Sequence, residues 1–142
     1  MIDEEKIEIK NVNFWDETQI VDLYKSADWW KECYDPSEIN NLIKNSFSFV
    51  VAVDKKINKA VGMGRLLSDG VSDAYIQDLV VLKKYRKKGV GKKIVRFLLN
   101  VCKKNHIQWI GLISEPNQDP FYEKIGFKKM KKYIPMRYMG VD

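Results

Sequence analysis

The residues with the clearest chemical signature form one basic, glycine-containing turn, Arg86-Lys87-Lys88-Gly89-Val90-Gly91-Lys92. The turn follows a strand-like apolar run, residues 74–82, and precedes residues 90–102, whose apolar side chains recur at helical spacing. The glycines let the backbone approach a ligand closely, and a helix start presents unpaired N–H groups and the positive end of its dipole. With its basic side chains, the turn is therefore predicted to bind a phosphate-bearing anion.

Two motifs together give the chain a resemblance to a known family. Residues 86–91 fit the pattern [QR]xxGx[GA], and residues 121–127, Phe-Tyr-Glu-Lys-Ile-Gly-Phe, match FYxxxGF. In this order and spacing the chain resembles the GCN5-related N-acetyltransferases (GNAT), whereas neither GxxxxGK[ST] nor GxGxxG is present. Taken alone, the glycines would also suit a tight turn lined by solvated lysines.

The resemblance implies acetyl-CoA as the cofactor. In the family the turn binds the pyrophosphate, a role that falls here to Arg86, Lys87, Lys88, Gly89, Val90, Gly91 and Lys92. The resemblance also implies that the backbone of Leu79, Val80 and Val81 pairs with the pantetheine arm, because an open strand edge is a template for an extended amide. Asn117 is a substitute for an asparagine that relatives often carry where this chain has Glu115.

Tyr122 and Asp78 are the predicted catalytic residues. Acetyl transfer to an amine requires loss of an amine proton, a donor for the developing oxyanion and an acid for the leaving thiolate. The resemblance assigns the acid to Tyr122 and the oxyanion donor to the Val80 N–H. Asp78 would hold the ammonium or take its proton through water. The alternatives are that Tyr122 is a packed helix aromatic and that Asp78 is a structural partner for an N–H group or an arginine.

The acceptor end is predicted in residues 28–35, Asp-Trp-Trp-Lys-Glu-Cys-Tyr-Asp, where aromatic and acidic side chains are concentrated. Trp29, Trp30 and Tyr34 would frame a cationic amine, although each tryptophan could instead cap the core. A period of two places Asp78 on one strand face, with Ile76 and Val80, and Tyr75, Gln77 and Leu79 on the other. Tyr75 or Gln77 is thus the alternative contact with the acceptor.

The elements that must position these residues predict an α/β (α+β) fold. Strands are expected at residues 7–12, 47–53, 60–67, 74–82 and 109–113 and from Phe127, and helices after Asp16, after Asp35, over 90–102 and over 120–124. The strand–helix–strand from 74 to 113 requires a parallel pair within an otherwise antiparallel sheet. The expected architecture is a GNAT-like mixed, mostly antiparallel central sheet, with helices on both faces and a splayed parallel strand pair.

The net charge of +6 is unevenly distributed. Residues 1–82 carry 9 Lys/Arg and 15 Asp/Glu, and residues 83–142 carry 16 and 4. Eight basic and no acidic residues fall within 83–96, so the rest of the chain has 17 basic and 19 acidic residues, a balance of −2. A basic nucleic-acid-binding module is the rival hypothesis. One compact basic turn suits a few phosphates better, and the acidic half suits a cationic acceptor.

Composition restricts the remaining classes. Hydrophobic residues make up 45% of the 142 residues, which excludes global disorder and fits one domain, residues 1–142. The first residues lack the basic and apolar regions of a leader, so none is expected, and no apolar run approaches the ~20 residues of a membrane span. The 2 cysteines and 1 histidine match no zinc pattern. We expect a cytoplasmic N-acetyltransferase for a small cationic primary amine, acting through a ternary complex without metal, nucleic acid or membrane. A catalytically degenerate CoA-binding protein and a homodimer stay open.

Overall fold

The computed structural model describes residues 6–140. Residues 1–5, part of the segment in which no leader is expected, and residues 141–142 lie outside the described residues. In the described chain, strands β1 to β5 form one sheet in chain order: β1 (Ile7–Asn11), β2 (Ser48–Asp54), β3 (Lys59–Ser68), β4 (Asp73–Val81) and β5 (Trp109–Gly111). The α-helices are α1 (Glu17–Ser26), α2 (Ile39–Asn45), α3 (Val90–Lys104) and α4 (Asp119–Glu123).

The sheet confirms the predicted mixed topology. β1 to β4 pair antiparallel in sequence order, and β4 and β5 pair parallel. The parallel pairing joins only Asp73–Tyr75 to Trp109–Gly111, although β4 continues to Val81. The second half of β4 therefore has no partner strand on that side among residues 6–140, in agreement with the splayed pair that the family resemblance implies.

Helices cover both faces of the sheet. Under α1 and α2, a core of Ile20, Leu23, Tyr24, Ile39 and Ile43 packs with the strand residues Phe49, Val51, Val53, Met63 and Val80. On the opposite face, glycines in β3 admit α3: a Cβ placed on Gly64 would lie 2.8 Å from Cγ2 of Ile94. The close approach of α3 thus depends on the absence of a side chain at Gly64.

The predicted helix starts are confirmed by their caps. Oδ1 of Asp16 accepts the N–H of Gln19 at 3.1 Å, and Oδ1 of Asp35 accepts the N–H of Ser37 at 2.9 Å. Asp35 caps a short 3₁₀ turn, Pro36–Glu38, which leads directly into α2. This capped turn places residues 28–35, the predicted acceptor segment, at the start of α2.

The last predicted strand is wrong, since the described residues after Gly111 contain no strand. Lysines 128, 129, 131 and 132 interrupt the apolar pattern from Phe127, and Pro135 lacks an N–H for a sheet ladder. The apolar side chains of this segment are exposed, among them Ile134 and Met136.

The described chain forms two compact units, divided between Gly111 and Leu112, and the second holds α4 and the segment after Phe127. No helix between residues 6 and 140 is long and apolar enough to cross a membrane.

Candidate functional site

A β-bulge in β4 determines where the central carboxylate lies. Met63 pairs with Val80 and Arg65 pairs with Gln77, so Asp78 and Leu79 together face one residue of β3, Gly64. Asp78 adopts a φ of 58°, in the left-handed region that aspartate tolerates better than most residues. The extra residue reverses the alternation of side chains along β4.

The bulge corrects the predicted faces of this strand. Val80 packs with Met63 beneath α1, whereas Ile76 pairs with Leu66, on the α3 face that Gly64 also presents. Ile76 and Val80 therefore lie on opposite faces, and the expectation that they share one is wrong. Gln77 and Asp78 lie together on the α1 face, since Gln77 pairs with Arg65 and Asp78 contacts α1.

Two donors hold the carboxylate of Asp78. The hydroxyl of Tyr24 donates to Oδ2 at 2.8 Å, and Nε of Arg65 donates to the same oxygen at 2.7 Å. Burial, reinforced by the negative charge of Asp78, raises the pKa of Tyr24 far above its ordinary value, so this hydroxyl remains a donor. Oδ1 of Asp78 accepts no hydrogen bond from residues 6–140. One oxygen is thus available to a ligand.

Asp78 lies at the wall of a cavity of about 690 Å³. The cavity brings together Asp78 and the predicted acceptor residues Trp29, Trp30 and Tyr34, and the lining also includes Tyr24, Cys33, Ile39, Leu42 and Arg65. The predicted alternatives Tyr75 and Gln77 are not among its lining residues. Tyr75 instead packs on Trp109, with ring centroids 5.3 Å apart, and Gln77 is exposed.

The end of α1 sets the aromatic wall of this cavity. The N–H groups of Asp28 and Trp29 donate to the carbonyls of Lys25 and Tyr24, at 3.1 and 3.0 Å, and Asp28 has a φ of 60°. This Schellman-type ending turns the chain back over the last turn of the helix. The ring of Trp30 consequently lies 6.4 Å from Tyr24 and meets Tyr34 edge-on at 5.4 Å, between ring centroids.

The cavity carries more acidic than basic groups. Its carboxylates are Asp35, Glu38 and Asp78, and its guanidinium is Arg65. Hydrogen bonds from the backbone and hydroxyl of Ser37 lower the pKa of Asp35, which is therefore ionised at neutral pH. Because Arg65 pairs with Asp78, the remaining negative charge is at the exposed residues Asp35 and Glu38. No group of three His, Cys, Asp or Glu within residues 6–140 could hold a metal ion.

The basic turn fits an acidic ligand. α3 begins without a side-chain cap, and the N–H groups of Val90, Gly91 and Lys92 make no hydrogen bond with any described residue. Gly89 has a φ of 82°, and apart from its chain neighbours no atom of the described residues lies within 4 Å of where its Cβ would be. Exposed lysines surround this open helix start: Lys87, Lys88 and Lys92. Free donors, space and positive charge together suit a pyrophosphate.

The open edge of β4 is less available than predicted. The Leu82 N–H donates to the Val61 carbonyl at 2.9 Å, so by the alternation of an antiparallel ladder the Val80 peptide also faces β3. The prediction that the Val80 N–H serves a ligand at this edge does not fit this ladder. The Val81 carbonyl faces the open edge, where Nε of Arg86 donates to it at 2.8 Å. Leu79 belongs to the bulge, where the regular alternation is interrupted.

Tyr122 lies in the second compact unit, on α4. It is half-buried, with ring centroids 5.0 Å from Phe121 and 5.9 Å from Phe127. Burial, followed by the charge of Glu115, raises the pKa of its hydroxyl. That hydroxyl makes no hydrogen bond within residues 6–140, so it keeps a free proton to donate. Asn117 is exposed in the same unit, with a φ of 66°.

Sequence reasoning missed Tyr24 and Arg65, the partners of Asp78. Tyr24 falls at the same helical spacing as the apolar residues Ile20 and Leu23, so the sequence alone indicates a core residue, and only the fold shows that its hydroxyl reaches β4. Arg65 carried a signal that could have found it: it is the only Lys or Arg between residues 60 and 82 and stands in an otherwise apolar run. A lone cation in a buried strand requires an acidic partner.

Comparisons with known proteins agree with this geometry. Residues 6–137 match the family model described as an acetyltransferase (GNAT) domain. An uncharacterized N-acetyltransferase, ycf52, of Pyropia yezoensis is 32% identical over 122 residues, which cover 84% of this chain and 67% of that protein. A probable acetyltransferase of Staphylococcus aureus, SA2161, superposes with a TM-score of 0.80 at 21% identity, over 95% of this chain and 99% of that one. AAC(6')-Iy, in complex with the bisubstrate analog CoA-S-monomethyl-acetylneamine, has a TM-score of 0.73 at 15% identity, over 93% and 97%.

Proposed function

Since the chain belongs to the GNAT family of acetyltransferases, we propose that it transfers the acetyl group of acetyl-CoA to the primary amine of a small cationic molecule. The observation that carries this proposal is the free Oδ1 of Asp78 in a cavity walled by Trp29, Trp30 and Tyr34. A carboxylate with one free oxygen accepts hydrogen bonds from an ammonium group, and aromatic faces attract its charge.

The acceptor cavity provides both orientation and charge. Asp78 would hold the reactive amine, while Asp35 and Glu38 at the exposed side favour a cationic molecule over an anionic one. Tyr24 and Arg65 fix the orientation of the carboxylate through Oδ2. The amine would therefore find its acceptor atom already oriented before it binds.

The basic turn would hold the cofactor. The free N–H groups of Val90, Gly91 and Lys92 and the side chains of Lys87 and Lys88 would bind the pyrophosphate. The bulge and Val81 would meet the pantetheine arm at the open edge of β4, with Asn117 as a further contact, which the family resemblance suggests. When bound, acetyl-CoA supplies the acetyl group as a thioester. The family match covers residues 6–137, most of the 142 residues, which supports a single N-acetyltransferase domain over residues 1–142.

The reaction balances with the groups that this chain supplies. Asp78, directly or through water, takes a proton from the bound ammonium, and the free amine attacks while both substrates are bound. The new bond joins the amine nitrogen to the acetyl carbon, and the carbon–sulfur bond breaks. We assign to Tyr122 the proton that the leaving thiolate takes up, because the family resemblance gives it this role and its hydroxyl is protonated and has no partner among the described residues. The second proton of the amine nitrogen leaves as the amide forms and, through water, restores the Tyr122 hydroxyl. Such proton transfers typically contribute about 10²–10⁴-fold in rate.

Thiol release from acetyl-CoA, measured against a panel of primary amines, tests this proposal. We expect amine-dependent release and binding of CoA by calorimetry. Binding of CoA without release for any amine would indicate a degenerate member of the family. Absence of CoA binding, with tight and steeply salt-dependent binding of an oligonucleotide, would favour the nucleic-acid-binding alternative.

Location and assembly are further proposals. The proposed location is the cytoplasm, as expected from the sequence. Cell fractionation tests the location. Light scattering on the purified protein tests the homodimer that the family resemblance suggests.

A further inference from the structure

Arg65 has more hydrogen-bonding capacity than its ion pair uses. A guanidinium carries five N–H groups, and the Nε–H of Arg65 donates to Asp78. The Nη atoms make no hydrogen bond with any residue from 6 to 140. Two donor-bearing nitrogens are therefore left over at the same wall of the cavity as the free oxygen of Asp78.

These Nη atoms are accessible from the cavity. The Arg65 side chain is only 17% exposed, yet no buried side-chain nitrogen or oxygen of the described chain lacks a hydrogen-bond partner. Unpaired Nη atoms must then be in contact with solvent, and Arg65 lines the cavity. A mostly buried guanidinium with unused, accessible donors is a binding site for a planar anion, above all a carboxylate.

We propose that Arg65 binds a carboxylate of the acceptor, so that the substrates are amino acids rather than simple amines. The inference rests on the proposed function and narrows its substrate class. The ammonium group lies on Oδ1 of Asp78, and the carboxylate lies on the Nη atoms of Arg65. Because Nε of Arg65 contacts Asp78 directly, the two binding atoms are neighbours, as the amino and carboxyl groups of an α-amino acid are.

The rest of the cavity is suited to the side chain of such a molecule. Trp29, Trp30, Ile39 and Leu42 offer an apolar surface, and Asp35 and Glu38 offer negative charge at the exposed side. A side chain with an apolar stem would lie on the tryptophans, and a cationic end would reach the exposed carboxylates. An amino acid with such a side chain keeps the cationic character of the proposed acceptor and adds the carboxylate.

If Arg65 were only the structural partner of Asp78, its Nη–H groups would bind nothing but water. Lysine could supply one positive charge to Asp78 with a compact ammonium, whereas only arginine can bind two carboxylates through separate edges of one plane. Arginine is thus the residue type that links an ammonium-binding carboxylate to a substrate carboxylate. The two roles of Arg65 are distinguished by the ratio of kcat/KM for an amino acid to kcat/KM for its decarboxylated amine. Total activity does not distinguish them.

Matched acceptors test the inference. Thiol release is measured for phenylalanine, leucine and lysine, for the corresponding amines 2-phenylethylamine, isopentylamine and cadaverine, and for phenylalaninamide. We expect kcat/KM for at least one amino acid to exceed that of its decarboxylated amine and of the amide by about 10- to 100-fold, the gain typical of charge-assisted, bidentate binding.

Variants then assign the preference to Arg65. Arg65→Lys and Arg65→Gln should reduce the ratio of kcat/KM for acid over amine to within a few-fold of one. The control is Arg96→Lys, the same substitution at an exposed position of α3, which should leave the ratio unchanged. Because each ratio compares two substrates on one variant, any loss of folded protein cancels, and thermal melts confirm that the variants fold.

The outcomes separate the inference from the function on which it rests. No thiol release with any amine or amino acid would overturn the proposed function. Release that is equal for every amino acid and its decarboxylated amine, or a preference for phenylalanine over 2-phenylethylamine that phenylalaninamide shares, would overturn the carboxylate site and leave the acetyltransferase function intact. A preference for acids that persists in both Arg65 variants would remove Arg65 from that site.

Discussion

The hydroxyl of Tyr24 on α1 donates a 2.8 Å hydrogen bond to Oδ2 of Asp78, at the bulge of β4. The bulge allows this contact, because it places Asp78 on the face of the sheet that α1 covers. Arg65 uses the same oxygen, so both structural donors occupy one side of the carboxylate. The other oxygen, which no described residue occupies, is what makes Asp78 useful to a ligand.

Tyr24→Phe should weaken amine binding and stability together. The substitution keeps the buried ring and removes one donor, so Asp78 is held less firmly, and we expect the amine KM to rise about 10-fold with a smaller change in kcat. The hydrogen bond joins a buried hydroxyl to a charged group, and its loss should lower the free energy of unfolding by about 1–2 kcal/mol. Urea denaturation measures the second effect. Tyr133→Phe, at an exposed position, is the control and should change neither.

Asp78→Asn separates the chemical role of this residue from its size. Asparagine has nearly the same shape but has no negative charge and is a poor proton acceptor. We expect kcat/KM for the amine to fall by about 10²–10⁴-fold, the range of general acid–base catalysis, while the KM for acetyl-CoA changes little. Steady-state kinetics with each substrate varied in turn measures both. A loss of only a few-fold would show that Asp78 is a structural partner of Arg65.

The elements of the fold were largely predictable from local chemistry. Asp16 and Asp35 begin helices because their side chains satisfy free N–H groups, and that signal needs no tertiary information. The prediction of a strand from Phe127 was wrong because lysines interrupt the strand-like residues of this segment. An exposed segment also has no core face that would fix its conformation.

The site was only partly predictable, because its geometry depends on one inserted residue. Strict alternation along β4 assigns Ile76 and Val80 to one face, and no local signal at Asp78 marks the bulge that separates them. The cavity residues Trp29, Trp30 and Tyr34 were found because their composition is unusual. Tyr24 could not be found in this way, since a tyrosine on the apolar face of α1 looks like any core residue.

Charge removal in the basic turn should weaken cofactor binding. The paired substitution Lys87→Gln and Lys88→Gln keeps the backbone N–H groups but removes two exposed cations beside the free start of α3. We expect the KM for acetyl-CoA to rise about 10-fold at low salt and less at high salt, since exposed charges are screened. The matched control is Lys103→Gln with Lys104→Gln, at the other end of the same helix. Equal changes in the KM for acetyl-CoA from both double substitutions would indicate that the overall positive charge attracts the cofactor, rather than a binding site at the turn.

Tyr122→Phe should lower turnover without lowering stability. Its hydroxyl has no hydrogen-bond partner among residues 6–140, so the substitution removes no internal bond and leaves the ring packing on Phe121 and Phe127. We expect kcat to fall about 10²-fold or more, with the KM for acetyl-CoA and the urea midpoint nearly unchanged. Unchanged turnover would remove Tyr122 from the mechanism.

A second tyrosine–aspartate pair should make stability depend on pH at both extremes. The hydroxyl of Tyr85, which ends the short 3₁₀ turn Lys83–Tyr85, donates to Oδ2 of Asp54 at 2.6 Å. This hydrogen bond lowers the pKa of Asp54 and, with burial, raises the pKa of Tyr85 to about 12. The bond ties the start of the basic turn to the end of β2.

The pKa of Asp54 is lowered and the pKa of Tyr85 is raised, so together they define a pH range in which the hydrogen bond contributes its full stability. Asp54 has a lower pKa in the folded state, so its contribution is complete above the ordinary value of ~3.9 and is lost as the pH falls through the native pKa. Tyr85 has a higher pKa in the folded state, so its contribution is complete below ~10 and is lost as the pH rises through about 12. We expect the stability difference between the native protein and Tyr85→Phe to be constant from about pH 5 to 9 and to shrink on either side. Urea unfolding at a series of pH values measures this difference, and an unchanged gap at pH 3 would contradict the role of Asp54.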